Sequence, residues 1–181
     1  MKVLIDACVL FPTVLRELVL GVAATGAFEP LWSGRILEEW RHAAARRSEE
    51  DARIAGVEIA FLADRFPKAL VDVTPATEAR LTLPDPDDVH VLAAAIDGGA
   101  SELLTLNLKD FPTNALAAEG ILRRHPDEFL LEAYKSDPQA VGAVVQDVLE
   151  RASAHGIDTS NRRSLLKKAR LPRLGKALDQ G

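Results

Sequence analysis

Three short apolar runs, KVLID (2–6), ALVDV (69–73) and ELLTL (102–106), lie far apart in the chain, with helical periodicity between them. Runs of this length bounded by polar residues read as buried strands. Strands that alternate with helices pair most simply in parallel, each pair joined by a crossover. The chain is therefore expected to form an α/β layer with a mostly parallel sheet. Pro12 opens the helical stretch TVLRELVLGVAA, at a position where its missing N–H costs nothing. Ser33 is placed to cap GRILEEWRHAAARR, and Pro67 closes the helix of residues 50–66. LPDPDDVHVLAAA (83–95) is a further helix, Ala115–Glu119 a short one, and Ile121–Leu122 a brief edge strand. From Pro126 onward the pattern is helical with no strand between. Two parts are expected: residues 1–125 as the α/β domain and 126–181 as a helical C-terminal extension.

With 181 residues, 48% of them hydrophobic, the chain can bury a proper core. No apolar run approaches the ~20 residues needed to span a bilayer, so no membrane partner is expected. Asp6 arrives too early for a secretory signal, which makes a soluble, cytoplasmic protein the expectation. Cys8 is the one cysteine, which excludes an intramolecular disulfide and a cysteine metal cluster. The net charge of −5 hides an asymmetry: residues 161–181 hold seven of the 22 Lys and Arg but one of the 27 acids, Asp179. A basic end of this kind suits a polyanion or an acidic partner, or simply a solvated helix.

The acids sort by geometry. At 100° per residue, Ile36, Leu37, Trp40, Ala43 and Ala44 form the apolar stripe of the helix after Ser33, with Glu38 opposite and Glu39 at its edge. Capping and the helix dipole account for Asp85 and Asp87 at the front of the DPDD segment. Asp88 projects with Leu92 and Ala95 toward the interior, whereas His90 and Asp87 are expected to point elsewhere. Asp6 ends a strand, where α/β sheets place their ligands. The exit of ELLTL delivers Thr105, Asn107 and Asp110, although turn chemistry alone suits the last two. Singly each acid reads as structural; their recurrence at sheet exits and inward helix sides favours a cluster. Carboxylates gathered in one hollow cannot all ionise without a cation. Oxygen donors with no paired His or Cys select Mg²⁺ or Mn²⁺, whose main use in such a protein is handling phosphate.

VLIDACVLFP, WSGRILEEW, LPDPDDVHVLAAA and LLTLNLKDFP, in this order and spacing, resemble the PIN-domain ribonucleases, and among them the VapC-type toxins of toxin–antitoxin modules. The resemblance spans about residues 2–124. It implies an α/β fold, doubly wound, with a mostly parallel central sheet and helices on both faces, and a Mg²⁺- or Mn²⁺-dependent endoribonuclease that acts on RNA, usually dimeric and inhibited by a cognate antitoxin. It implies Asp6, Glu39, Asp88 and Asp110 as catalytic metal ligands, assisted by Asp85. Ser33, Thr105 and Asn107 would orient ligands or the scissile phosphate, and Arg16 would contact phosphate or be an ordinary surface arginine. Two positions depart from the pattern. Many relatives carry Asn where Cys8 stands, which puts a hydrogen bond near Asp6 in doubt and leaves Cys8 as a small buried filler. Asn107 replaces an aspartate, which shifts weight to Asp110. The alternatives are a catalytically inactive PIN-like module that binds RNA or protein, and a haloacid-dehalogenase-type phosphotransferase, which would want an acid or hydroxyl where Cys8 stands.

Overall fold

The computed structural model describes residues 1–180. In chain order its elements are β1 (Lys2–Ile5), α1 (Ala7–Leu10), α2 (Thr13–Ala24), β2 (Glu29–Ser33), α3 (Gly34–Ala45), α4 (Glu49–Arg65), β3 (Leu70–Val71) and α5 (Pro75–Ala79). A 3-10 turn at Pro86–Asp88 then leads into α6 (Val89–Asp97), β4 (Glu102–Leu104), α7 (Thr113–Ala118), β5 (Leu122–Arg124) and four helices. These are α8 (Pro126–Ser136), α9 (Pro138–Ala154), α10 (Arg162–Lys168) and α11 (Pro172–Leu178). The chain divides into two compact units, residues 1–11 with 29–124, and residues 12–28 with 125–181.

The first unit carries a five-stranded sheet in the order β3-β2-β1-β4-β5. All four pairings are parallel, with Leu4 opposite both Leu31 and Leu103. From β1 the strands step one way to β2 and β3, then the chain returns to the far side of β1 for β4 and β5. The order reverses between β1 and β4, so their carboxyl ends flank the crevice where doubly wound sheets bind ligands. Val3, Leu4, Ile5, Leu103 and Leu104 are fully buried, which explains why these strands read as continuous apolar runs rather than alternating ones.

β2 is not among the strands expected from the sequence, and Pro30 lies within it. Glu29 N–H bonds Met1 O on the β1 side, whereas Trp32 N–H bonds Ala69 O on the β3 side. Pro30 shares the parity of Trp32, so its missing N–H faces the β3 side, and β3 pairs only with Trp32 and Ser33. The proline therefore leaves no carbonyl without a donor. Gly98, at the end of α6, has a packing reason to be glycine: an added Cβ would meet Leu31 and Val71 side chains at 2.8 and 2.9 Å.

The second unit is wholly helical. Phe28 and Phe129 pack edge to face at 5.0 Å, and Gly21 of α2 admits Val144 of α9 so closely that a Cβ would lie 2.5 Å from Cγ1. The basic segment is folded, with Leu166, Leu171 and Leu174 fully buried. Buried Asp127 accepts hydrogen bonds from the backbone N–H groups of Arg173 and Leu174, satisfying the first turn of α11. Arg16 lies on α2 and is 4% exposed, so it is not the surface arginine that was one of its two expected readings. Among the described residues no helix is long and apolar enough to cross a membrane.

Candidate active site

β1 ends at Ile5, and Asp6 follows as the extended residue that opens α1. Its side chain is buried, with 6% exposed. Thr105, one residue past β4, donates its hydroxyl to Asp6 Oδ2 at 2.7 Å, and the Cys8 thiol donates to the same oxygen at 3.1 Å. Thr105 Oγ1 in turn accepts from Asn107 N–H at 2.9 Å, so the exit of β4 is tied to the exit of β1. Burial is the largest influence on the Asp6 carboxyl and raises its pKa; the Cys8 and Thr105 hydrogen bonds oppose that rise, and the charge of Glu39 adds to it.

Cys8 is more than a filler. Besides donating to Asp6, its sulfur accepts from Leu106 N–H at 3.2 Å, so it retains the hydrogen-bonding place near Asp6 that its replacement of asparagine had put in doubt. Burial, and next the neighbouring Asp6 charge, push its thiol up to about 12. Since the thiolate is the reactive form, alkylation at pH 8 is expected to be about a thousandfold slower in the folded protein than in the denatured chain. An iodoacetamide time course with and without guanidinium checks this, and equal rates would contradict the buried, bonded thiol.

Glu39 reaches the same place from α3. Ser33 caps that helix by accepting from Ile36 N–H at 3.2 Å. The cap fixes the rotational phase that leaves Glu39 39% exposed at the edge of the apolar stripe. Glu38, on the outer face, pairs with Arg41 and His42. Asp88 ends the 3-10 turn, whose cap is Asp85, with Oδ1 accepting from Asp87 N–H at 2.9 Å. Burial, then the charges of Asp6, Asp85, Asp110 and Glu39, push the Asp88 carboxyl up to about 6.

Asp6, Glu39, Asp88 and Asn107 line one cleft of about 670 Å³, together with Cys8, Phe11, His42, Arg46 and Arg47. Asp85 and Asp110 are not in its wall, although their charges reach Asp88. Asp110 donates its backbone N–H to Asn107 O, the turn chemistry open to it. Among the described residues no three His, Cys, Asp or Glu side chains close on one point tightly enough to grip a metal ion. The donor chemistry suits a hard divalent cation all the same, since the cleft's three acids offer oxygen only. The charges that act on Asp6 and Asp88 are those of other acids, which raise both carboxyls. Glu39 and Asp88 are partly exposed on the cleft. A second hollow, of about 630 Å³ in the helical unit, offers less, since its Arg162 and Asp179 already pair at 2.8 Å.

One residue of the site was misplaced by sequence reasoning. His90 does not point away; it is 2% exposed, with Nε2 2.7 Å from Glu39 Oε1. His90 through Ala95 are all buried, more than a full turn of α6, so the helix has no outward side there and an outward direction for His90 does not exist. The signal that could have found it is a lone imidazole inside VHVLAAA, an otherwise apolar helix.

A family model described as PIN domain matches residues 2–109. A Mycobacterium tuberculosis (strain H37Rv) protein named "Putative ribonuclease VapC50" is 41% identical over 63 residues, which make up 35% of this chain and 37% of that relative. The match thus spans little more than a third of the relative's length. No solved structure matches.

Proposed function

Because the chain belongs to the PIN-domain family, we propose that it is a divalent-metal-dependent endoribonuclease, hydrolysing RNA phosphodiester bonds as the toxin of a toxin–antitoxin pair. The observation that carries this reading is the juxtaposition of Asp6, Glu39 and Asp88 in one cleft at the reversal point of the sheet, with proton affinity raised at two of them. Acids so placed cost stability in the empty protein, and a cation is the partner that removes the cost. The relative named a ribonuclease supports the substrate class.

Asp6, Glu39 and Asp88 would hold Mg²⁺ or Mn²⁺, with Asn107 beside them and Asp85 and Asp110 adding negative field. The metal supplies charge neutralisation at the phosphodiester and a more acidic water for in-line attack. Thr105 and Cys8 hold the Asp6 carboxylate in place. Arg46 and Arg47, in the same wall, offer an RNA strand the positive charge that the acids deny it. Exposed Lys167, Lys168 and Arg163 on α10 would add salt-sensitive attraction to RNA or dock the antitoxin. A homodimer and a cytoplasmic location complete the proposal.

A second reading, an inactive PIN-like module that binds RNA or protein, is favoured by the open arrangement of the acids. Incubation with total RNA separates the two. The enzyme is expected to cleave with Mn²⁺ or Mg²⁺ and to stop when a chelator is added. Cleavage that persists in chelator removes the metal-dependent reading, and RNA binding without cleavage in either metal favours the module.

A further inference from the structure

His90 is a buried imidazole whose two ring nitrogens have no directed hydrogen bond among the described residues. A neutral imidazole carries one N–H, and leaving it unpaired in the interior costs about 1–3 kcal/mol. The polar atom standing against it is Glu39 Oε1, 2.7 Å from Nε2. That distance is a full contact, and the missing element is angular alignment rather than proximity. Arg35 Nε approaches the same oxygen from the exposed side at 3.7 Å. Both groups make their nearest approach to Glu39 at Oε1.

We infer that His90 is a positioning residue: it anchors Glu39 through Oε1 from beneath the cleft, keeping Oε2 free as the oxygen offered to a cation. The inference rests on the metal-dependent reading above for its consequence, though not for the His90–Glu39 pairing itself. A donor on one oxygen of a liganding carboxylate restricts its rotamers and holds the second oxygen ready, the usual service of groups behind metal ligands. His90 is well suited, since α6 is buried around it and the ring cannot swing to solvent. Arg35 is not, because an exposed pair at this distance contributes little.

The test has two arms. In the metal-free protein, long-range ¹H–¹⁵N correlation of the histidine rings reads the tautomer. The His90 proton is expected on Nε2, and Glu39→Ala is expected to move that resonance. A proton on Nδ1, or a ring indifferent to Glu39→Ala, overturns the pairing, and this arm needs no substitution at His90. In the second arm, Mn²⁺ titration calorimetry is expected to show about 10–100-fold weaker binding for His90→Phe, partial recovery for His90→Gln, and no change for Arg35→Gln. Equal Mn²⁺ affinity in wild type and His90→Phe overturns the positioning role. If wild type itself binds no Mn²⁺, the metal-dependent function falls, while the tautomer still decides whether His90 holds Glu39.

Discussion

Asp6→Asn is expected to lower Mn²⁺-supported RNA cleavage by about a thousandfold or more while leaving the fold intact. The size follows from the chemistry: a metal contributes several kcal/mol of charge stabilisation in the transition state, and each ~1.4 kcal/mol is a factor of ten. The amide that replaces the carboxylate can still accept the Thr105 hydroxyl through its oxygen, so local geometry survives. What disappears is the buried negative charge. In chelator the variant should melt no lower than wild type, because ionising a desolvated carboxyl that no cation stabilises is a cost the amide avoids. Cleavage near the wild-type rate would refute Asp6 as a ligand, and a collapsed melting temperature would assign it a structural role instead.

Legibility from sequence differs between elements for reasons of physics. β1 and β4 were readable because strands buried on both faces must be apolar throughout, and KVLI and ELL are nearly so. The phase of α3 was readable from Ser33, since a side-chain cap fixes where a helix begins and hence which face Glu39 occupies. Pro30 concealed β2, because whether a strand tolerates proline depends on where its neighbour ends, which is a tertiary fact. His90 was concealed because α6 is buried all round from His90 to Ala95, so helical phase alone cannot separate an inward from an outward position there. Cys8 was undervalued for a related reason: hydrogen bonding by a thiol shows only when its partners, 97 or 98 residues away, are in place. The helices of the basic segment were readable from the pattern after Pro126, whereas the burial of Leu166, Leu171 and Leu174 depends on partners elsewhere in the fold.

In chelator, the stability of wild type relative to Asp88→Asn is expected to fall as pH rises from about 4 to 7. The folded state pushes the Asp88 carboxyl up to about 6 from 3.8, so in that window it binds more protons than the unfolded chain. Stability falls with pH wherever the native state holds the extra protons. The contribution of protonated Asp88 is therefore full below about 3.8 and lost as pH climbs through about 6. Asp97, Glu119 and Asp158 have lowered values and act in the opposite sense, but at more acidic pH. His125 is also lowered and favours the fold as pH rises near neutrality. Taking the difference between wild type and Asp88→Asn cancels these groups, none of which lines the cleft. Mn²⁺ should reverse the order at pH 7. At a free concentration of 100 times its dissociation constant, an ion that binds only the folded state adds about 2.7 kcal/mol. That corresponds to a rise of roughly 5–10 °C for a chain of this size. Asp88→Asn should gain much less, and at pH 4 the ion should do little for either protein, since protons then occupy the carboxylates it needs. Melting curves at three pH values, with chelator and with Mn²⁺, measure all of this. A wild type that Mn²⁺ leaves unmoved at pH 7, or one that outlasts Asp88→Asn in chelator there, would mean the clustered charges are balanced by something other than a cation.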